Sequence, residues 1–274
     1  MLDSKYLPVI YFLRHGRGFA GKTIKRQDAT PSFWLSVSET VRPPWMIRTR
    51  SMHFIILVAA FVILTAVVAL GITLGADDAV NRYFKSVHGS NPSIDMAMIV
   101  ITSLGDVTTL FIVGIVLTII RRTRKVGMIF LIALVVIVVL VMYLKPLVGR
   151  EIPVYGFEPA SELPENFSLE SDSLAPIAAG FSYPSGHAAR ATAFAFIVGY
   201  AVYNKSKKMG YAIWAFPVII GFTRIYVMQH YPTDIIGGFM LGALVSVVLS
   251  NAMKLDEPFF MSRLKGKEDR ASKV

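Results

Sequence analysis

Apolar and polar positions along this chain fall into long blocks rather than short alternations. Residues 54–76 carry no charged side chain over 23 positions, and residues 126–144 and 235–253 carry none over 19 each. A helix needs about 20 apolar residues to cross a bilayer, so each block predicts a span. Residues 107–120 form a shorter apolar run after Gly105-Asp106. Asp106 reads there as an N-cap, with residues 94–104 as an interfacial helix leading in. Residues 186–204 and 209–229 are apolar except for Arg190 and Arg224. The pattern predicts an all-α, polytopic integral membrane protein with six transmembrane helices and accompanying interfacial helices. The first block begins after residue 50, and its apolar core is too long for a cleavable signal. It is therefore expected to be a retained span.

Three regions follow. Residues 1–50 form a basic interfacial segment, with a short amphipathic helix expected over 6–13. Residues 51–253 form the six-helix membrane domain, and residues 254–274 a basic tail. An outer loop spans about 149–183.

Composition fits this reading: 54% of residues are hydrophobic and 17% charged, against about 25% charged in soluble domains. The net charge of +10 could suggest nucleic acid until its distribution is read. Of the 28 Lys and Arg, 22 fall in residues 1–50, the Arg121–Lys125 loop, Lys205–Lys208 and the tail. Excess basic residues mark the cytoplasmic side. Both termini are thus expected in the cytoplasm, with no nucleic-acid partner and with the bilayer as the basic segments' surroundings. The opposite loop is acidic, with Glu151, Glu158, Glu162, Glu165, Glu170 and Asp172. It reads as a solvated loop or as a lid. The chain has no cysteine, which excludes disulfides and thiol catalysis.

Three polar clusters fall at the outer boundary: Lys145 to Arg150, Tyr183-Pro184-Ser185-Gly186-His187, and Thr223-Arg224 with His230 to Asp234. Lys145, Arg150 and Arg224 can bind phosphoryl oxygens. Ser185 and Gly186 open a helix, whose free N–H groups favour an anion. His230 and Asp234 lie four apart with Pro232 in a first helical turn. The carboxylate can therefore reach back to one imidazole nitrogen and leave the other to attack. His187 is available as a general acid. No metal-ligand spacing is present, and no cofactor is expected.

These clusters resemble the signature of the type-2 phosphatidic acid phosphatase family, which shares its core with vanadium haloperoxidases. The family pattern is Lys-x6-Arg-Pro, then Pro-Ser-Gly-His, then Ser-Arg-x5-His-x3-Asp. Here Pro184 to His187 match fully, and Arg224, His230 and Asp234 match with Thr223 in place of serine. The first motif departs: Ile152 stands where the arginine belongs, before the matching Pro153. Either Arg150 takes that role or Arg190 does, one helical turn after His187. The resemblance implies a double displacement through a phosphohistidine on His230. Asp234 would orient it, and His187 would protonate the leaving oxygen. The expected substrate is a membrane lipid phosphate or pyrophosphate, and the expected place the inner membrane with the site facing outward. A lipid phosphotransferase and a relic lipid-binding protein are the rival readings.

The remaining candidates have plainer expectations. His15, His53 and His88 are expected at the surface or interface, and Asp77-Asp78 at the end of the first span. Tyr226, Tyr231 and Trp214 are expected to pack helices or sit in aromatic belts. Gly237, Gly238, Gly242 and Ala243 are expected to permit close helix packing.

Overall fold

The first apolar block is interrupted where the sequence reading ran it straight through. In the computed structural model, which describes residues 42–160, 169 and 176–257, helix α1 runs Met52–Ala69. Gly71 follows in the left-handed region at φ 70°, where a Cβ would be strained. The chain restarts as α2, Leu74–Val87. Asp77 and Asp78 therefore do not end a span. They open an amphipathic helix that buries Asp77 and Asn81 and exposes Val80 and Tyr83. The expected helix over 6–13, the tail beyond 257 and the loop carboxylates Glu162, Glu165, Glu170 and Asp172 lie outside the described residues.

Helix α3, Pro92–Ser103, is capped by the Asn91 side chain, which accepts from the N–H groups of Ser93 and Ile94. Helix α4, Val107–Ile119, follows after a break of three residues and a 49° bend. The two segments make one bent span by length and composition, with Gly105-Asp106 at the break. Helix α5, Arg124–Val148, carries the next block further than expected and ends at Gly149, left-handed at φ 70°. Its extra turn holds Lys145 on a rigid element.

Helix α6 (Gly186–Tyr203) is the centre of the fold, with nearly every residue buried. Helices α7 (Lys207–Ala212) and α8 (Ala215–Tyr226) share the block read as one span, and α9 (Pro232–Ala252) packs along α6. That packing depends on glycine. A Cβ on Gly242 would collide with the Ala189 carbonyl oxygen, and one on Gly238 would lie 2.5 Å from that of Ser185. The small residues of α9 thus bring two backbones together.

Four helical segments are long and apolar enough to span a membrane: α1, α5, α9 and the α7–α8 stretch Lys207–Tyr226. The bent α3–α4 pair makes a fifth. Helix α6 is less apolar because it carries His187 and Arg190, and its neighbours enclose it. On the outside, α1 and α4 expose Ile55, Ile56, Ile63, Ile112 and Val116, an apolar surface that suits lipid rather than water.

Candidate active site

The site lies where the C-terminal ends of α5 and α8 meet the N-terminal ends of α6 and α9. Each element delivers its residue for a local reason. Ser185 caps α6, its Oγ accepting from the Ala188 N–H at 3.4 Å, so His187 sits in the first turn. The preceding peptide, Tyr183–Pro184, is cis. Pro232 starts α9 and places Asp234 at its third position. There one carboxylate oxygen accepts the Tyr231 N–H at 2.8 Å and lies 3.5 Å from His230 Nδ1. The Asp234 carboxylate thus faces its histidine across four residues at ion-pair distance.

Lys145, His187, Arg190, Arg224, His230 and Asp234 all retain at most 3% of their exposure. Several cations held this far from water require compensating anions.

Arg150 answers one half of the question left by Ile152. Its guanidinium donates to Asp234 at 2.9 Å, to Thr233 Oγ1 at 2.6 Å and to Asp77 at 2.6 Å. It also lies 4.2 Å above the Tyr231 ring, a cation–π contact. Arg150 therefore bridges two carboxylates and fixes the α9 N-terminus. Asp77 also accepts from the Thr233 N–H and hydroxyl, at 3.1 and 2.6 Å. Asn81 donates to the His230 carbonyl at 3.3 Å. Helix α2, which the sequence reading did not foresee, braces the turn that carries His230.

Arg190 takes a different position. Its Nε donates to the Gly105 carbonyl at 3.3 Å, and a terminal nitrogen donates to His187 Nδ1 at 3.1 Å. Arginine carries only donors, so Nδ1 must accept and Nε2 must hold the imidazole hydrogen. That hydrogen is donated to Asp106 at 2.7 Å. Asp106 does occupy the N-cap position of α4, as expected, but its side chain makes no capping bond. Gly105 permits the approach: a Cβ there would lie 3.1 Å from the His187 ring and 2.8 Å from Ile220.

Ile152 is partly exposed and lines a cleft of about 350 Å³ with Val68, Leu74, Val154, Arg150 and Tyr231. His88, expected at the surface or interface, is buried at 7% exposure beside Phe157, whereas His53 is exposed as expected. Tyr226 and Tyr231 pack helices as expected, and Tyr226 also donates to buried Asp95 at 2.6 Å. Burial pushes the Tyr183 phenol up to about 12, so it stays protonated. It hydrogen-bonds Thr65 at 2.9 Å and packs on Gly237 as a spacer. Among the described residues, no group of three or more His, Asp or Glu is placed to hold a metal ion.

Sequence reasoning missed Asp77, Asn81 and Asp106 as site residues. The available signal was polar residues at the outer ends of apolar runs, a position equally natural for caps and interfacial turns.

Comparison with known proteins agrees with the motif reading. The PAP2 superfamily matches residues 124–257. The undecaprenyl-diphosphatase BcrC of Bacillus subtilis is 27% identical over 180 residues, which is 64% of this chain and 85% of that protein. An undecaprenyl-diphosphatase of Sulfolobus acidocaldarius is 27% identical over 201 residues, covering 72% and 89%. Among solved structures, a transmembrane PAP2-type phosphatidylglycerolphosphate phosphatase from Bacillus subtilis superposes with a TM-score of 0.59 at 25% identity. That match covers 75% of this chain and 98% of the other.

Proposed function

We propose that this chain, a multi-pass membrane member of the PAP2 superfamily, hydrolyses a lipid pyrophosphate at the extracytoplasmic surface through a phosphohistidine. The observation that carries the reading is convergence. His187, Asp234 and the cations Lys145, Arg190 and Arg224 come from four helices, and His230 from the turn before α9, to one buried end of the bundle.

In the first step His230 Nε2 attacks phosphorus and the bond to the leaving oxygen breaks. Asp234 orients the ring and stabilises the positive charge it acquires. Lys145, Arg224, Ser185 and the Gly186 N–H hold the phosphoryl oxygens. His187 Nε2–H meets the leaving oxygen, which departs with its electron pair as the lipid phosphate anion. Water then attacks phosphorus as the P–N bond to His230 breaks, both its protons leaving on the product as dihydrogen phosphate and the His230 ring returning neutral. Arg150 serves by holding Asp234 in place. Six spans with both termini cytoplasmic would put this end of the bundle outside. The chemistry as proposed uses no metal.

Arg190 favours a pyrophosphate. Its N–H faces His187 Nδ1, so a doubly protonated imidazole would set two donors and two like charges against each other. A singly protonated His187 is a good hydrogen-bond donor and a poor source of a whole proton. A lipid phosphate departs as a stable anion and needs only the hydrogen bond, whereas an alkoxide needs the proton. Two relatives are named undecaprenyl-diphosphatases, which supports undecaprenyl pyrophosphate ahead of phosphatidylglycerol phosphate, phosphatidic acid and lipid A phosphates.

The test is purified protein with this panel of lipid phosphates, labelled at the terminal phosphate. Free phosphate, fastest from the pyrophosphate, is expected. Label appearing on an acceptor lipid would make the chain a transferase, and no reaction with any member would leave a relic. The orientation is tested separately. A single cysteine at Glu162, in a chain that has none, should react with an impermeant thiol reagent in intact cells.

A further inference from the structure

We propose that the cleft beside Arg150 seats the first carbons of the substrate's hydrocarbon chain, so that Leu74, Ile152 and Val154 select a lipid pyrophosphate over a water-soluble one. The inference rests on the lipid pyrophosphate reading above and adds the place where the chain leaves the site.

The cleft exists because the first apolar block breaks. Helix α1 stops at Ala69, Gly71 turns in the left-handed region, and α2 restarts at Leu74. A Cβ on Gly71 would meet nothing within 4 Å, so the turn faces open space rather than a packed neighbour. Across the gap α5 ends at left-handed Gly149, and the chain continues along the cleft through Glu151, Ile152 and Val154. Two helix ends thus enclose about 350 Å³, a volume in the range of small-ligand sites.

The walls are of two kinds. One is Arg150 and Tyr231, and both belong to the support of the site. Arg150 donates to Asp234 and Thr233. Tyr231 follows His230 and donates its N–H to Asp234. The other wall is apolar: Val68, Leu74, Val148, Ile152 and Val154. Leu70 and Ile72 flank Gly71, Leu147 precedes Val148, and all three are exposed. Exposed apolar side chains gathered in one region mark a surface that meets lipid or a ligand.

Charge and continuity name the occupant. The Arg150 guanidinium is already bonded to Asp77 and Asp234, and Glu151 adds a negative charge to the lining. The cleft therefore does not suit a second anion, and its apolar wall suits a neutral chain. It starts at the end of α1, whose Ile55, Ile56 and Ile63 are exposed, and closes on the residues that hold Asp234. A bilayer substrate with its phosphorus at His230 must pass its chain from a polar site back to lipid, and the cleft joins the two. A second apolar groove, lined by Leu57, Thr192, Trp214 and Met240, fits the role less well. Thr192 stands five residues beyond His187 on α6, about 7 Å deeper, and the lining holds neither Arg150 nor Tyr231.

The experiment uses the full chain in detergent. It compares kcat/KM for phosphate release from undecaprenyl pyrophosphate and from isopentenyl pyrophosphate, whose chain is too short to fill the cleft. The preference for the long chain should fall at least about tenfold in Ile152→Asp, the loss expected when about two buried CH₂ groups lose their contacts, and the change should lie in KM. Ala69→Trp, which fills the cleft from α1, should act alike and serves if the charged variant does not fold. Ile152→Leu should keep the preference. A preference unchanged in both Ile152→Asp and Ala69→Trp overturns the proposal. In parallel, undecaprenyl pyrophosphate carrying a diazirine on its first isoprene unit should label residues within 68–74 or 147–154 on illumination. Label on Trp214 or Met240 instead overturns the proposal. So does cleft labelling that phosphatidylcholine suppresses as well as the unmodified pyrophosphate does, which would make the cleft a seat for bulk lipid. Absence of turnover in the parent chain would remove the hydrolase reading, while the labelling would still decide the occupant of the cleft.

Discussion

The site contains two histidine–carboxylate pairs, and they are built in opposite ways. His230 and Asp234 lie four residues apart across the start of one helix, and their geometry follows from that spacing and Pro232. Arg150, Asp77 and Asn81 then clamp the pair from two other elements. His187 and Asp106 lie 81 residues apart, and Arg190 is held between the same histidine and the same helix break. The first pair is tied to its surroundings by several buried hydrogen bonds. The second joins a helix terminus to a break in a bent span.

The largest effect expected from breaking this comparison is on His230, the proposed nucleophile. His230→Ala should abolish phosphate release, and near-parental activity would overturn the mechanism. Arg150→Ala should follow, with kcat lower by about 10²-fold through a displaced Asp234. Because both carboxylates are buried, thermal stability should fall as well. Arg150→Lys should restore little, since an ammonium cannot bridge two carboxylates as a planar fork does.

On the other pair, Arg190→Ala should lower kcat/KM at least about tenfold, or about 1.4 kcal/mol. An unchanged value would remove Arg190 from the reaction. Gly105→Ala should push the His187 ring and Ile220 apart, costing about 1–3 kcal/mol of stability by overpacking, read as a lower melting temperature. Smallest is Glu158→Ala. It removes an exposed 3.2 Å ion pair with Lys85, and stability and activity should both change by less than about 1 kcal/mol.

The balance between the two pairs also measures what was legible beforehand. The helical class, the apolar blocks, the Pro-Ser-Gly-His turn and the Arg224–His230–Asp234 spacing could all be read directly, because each is set by neighbours within a few residues. The interruption at Gly71 was harder to read. Its block stays uncharged up to Asp77, so hydropathy carried the span across the break. Asp77 then looked like an interfacial residue, because its partners Arg150 and Thr233 are distant in sequence. Ile152 left two arginines equivalent on paper. Only packing separated them, placing Arg150 on Asp234 and Asp77 and Arg190 on His187.

By itself, then, the sequence determined which segments are apolar helices and which short motifs stand at helix ends. Those are consequences of solvent and of local backbone geometry. The tertiary structure decided which charge meets which. It brought α2 beneath His230 and turned Asp106 from its own helix to the histidine of another. The reason is physical: a buried charge must find a counter-charge within a few ångströms, and which one it finds depends on the helix packed beside it rather than on the residue next along the chain.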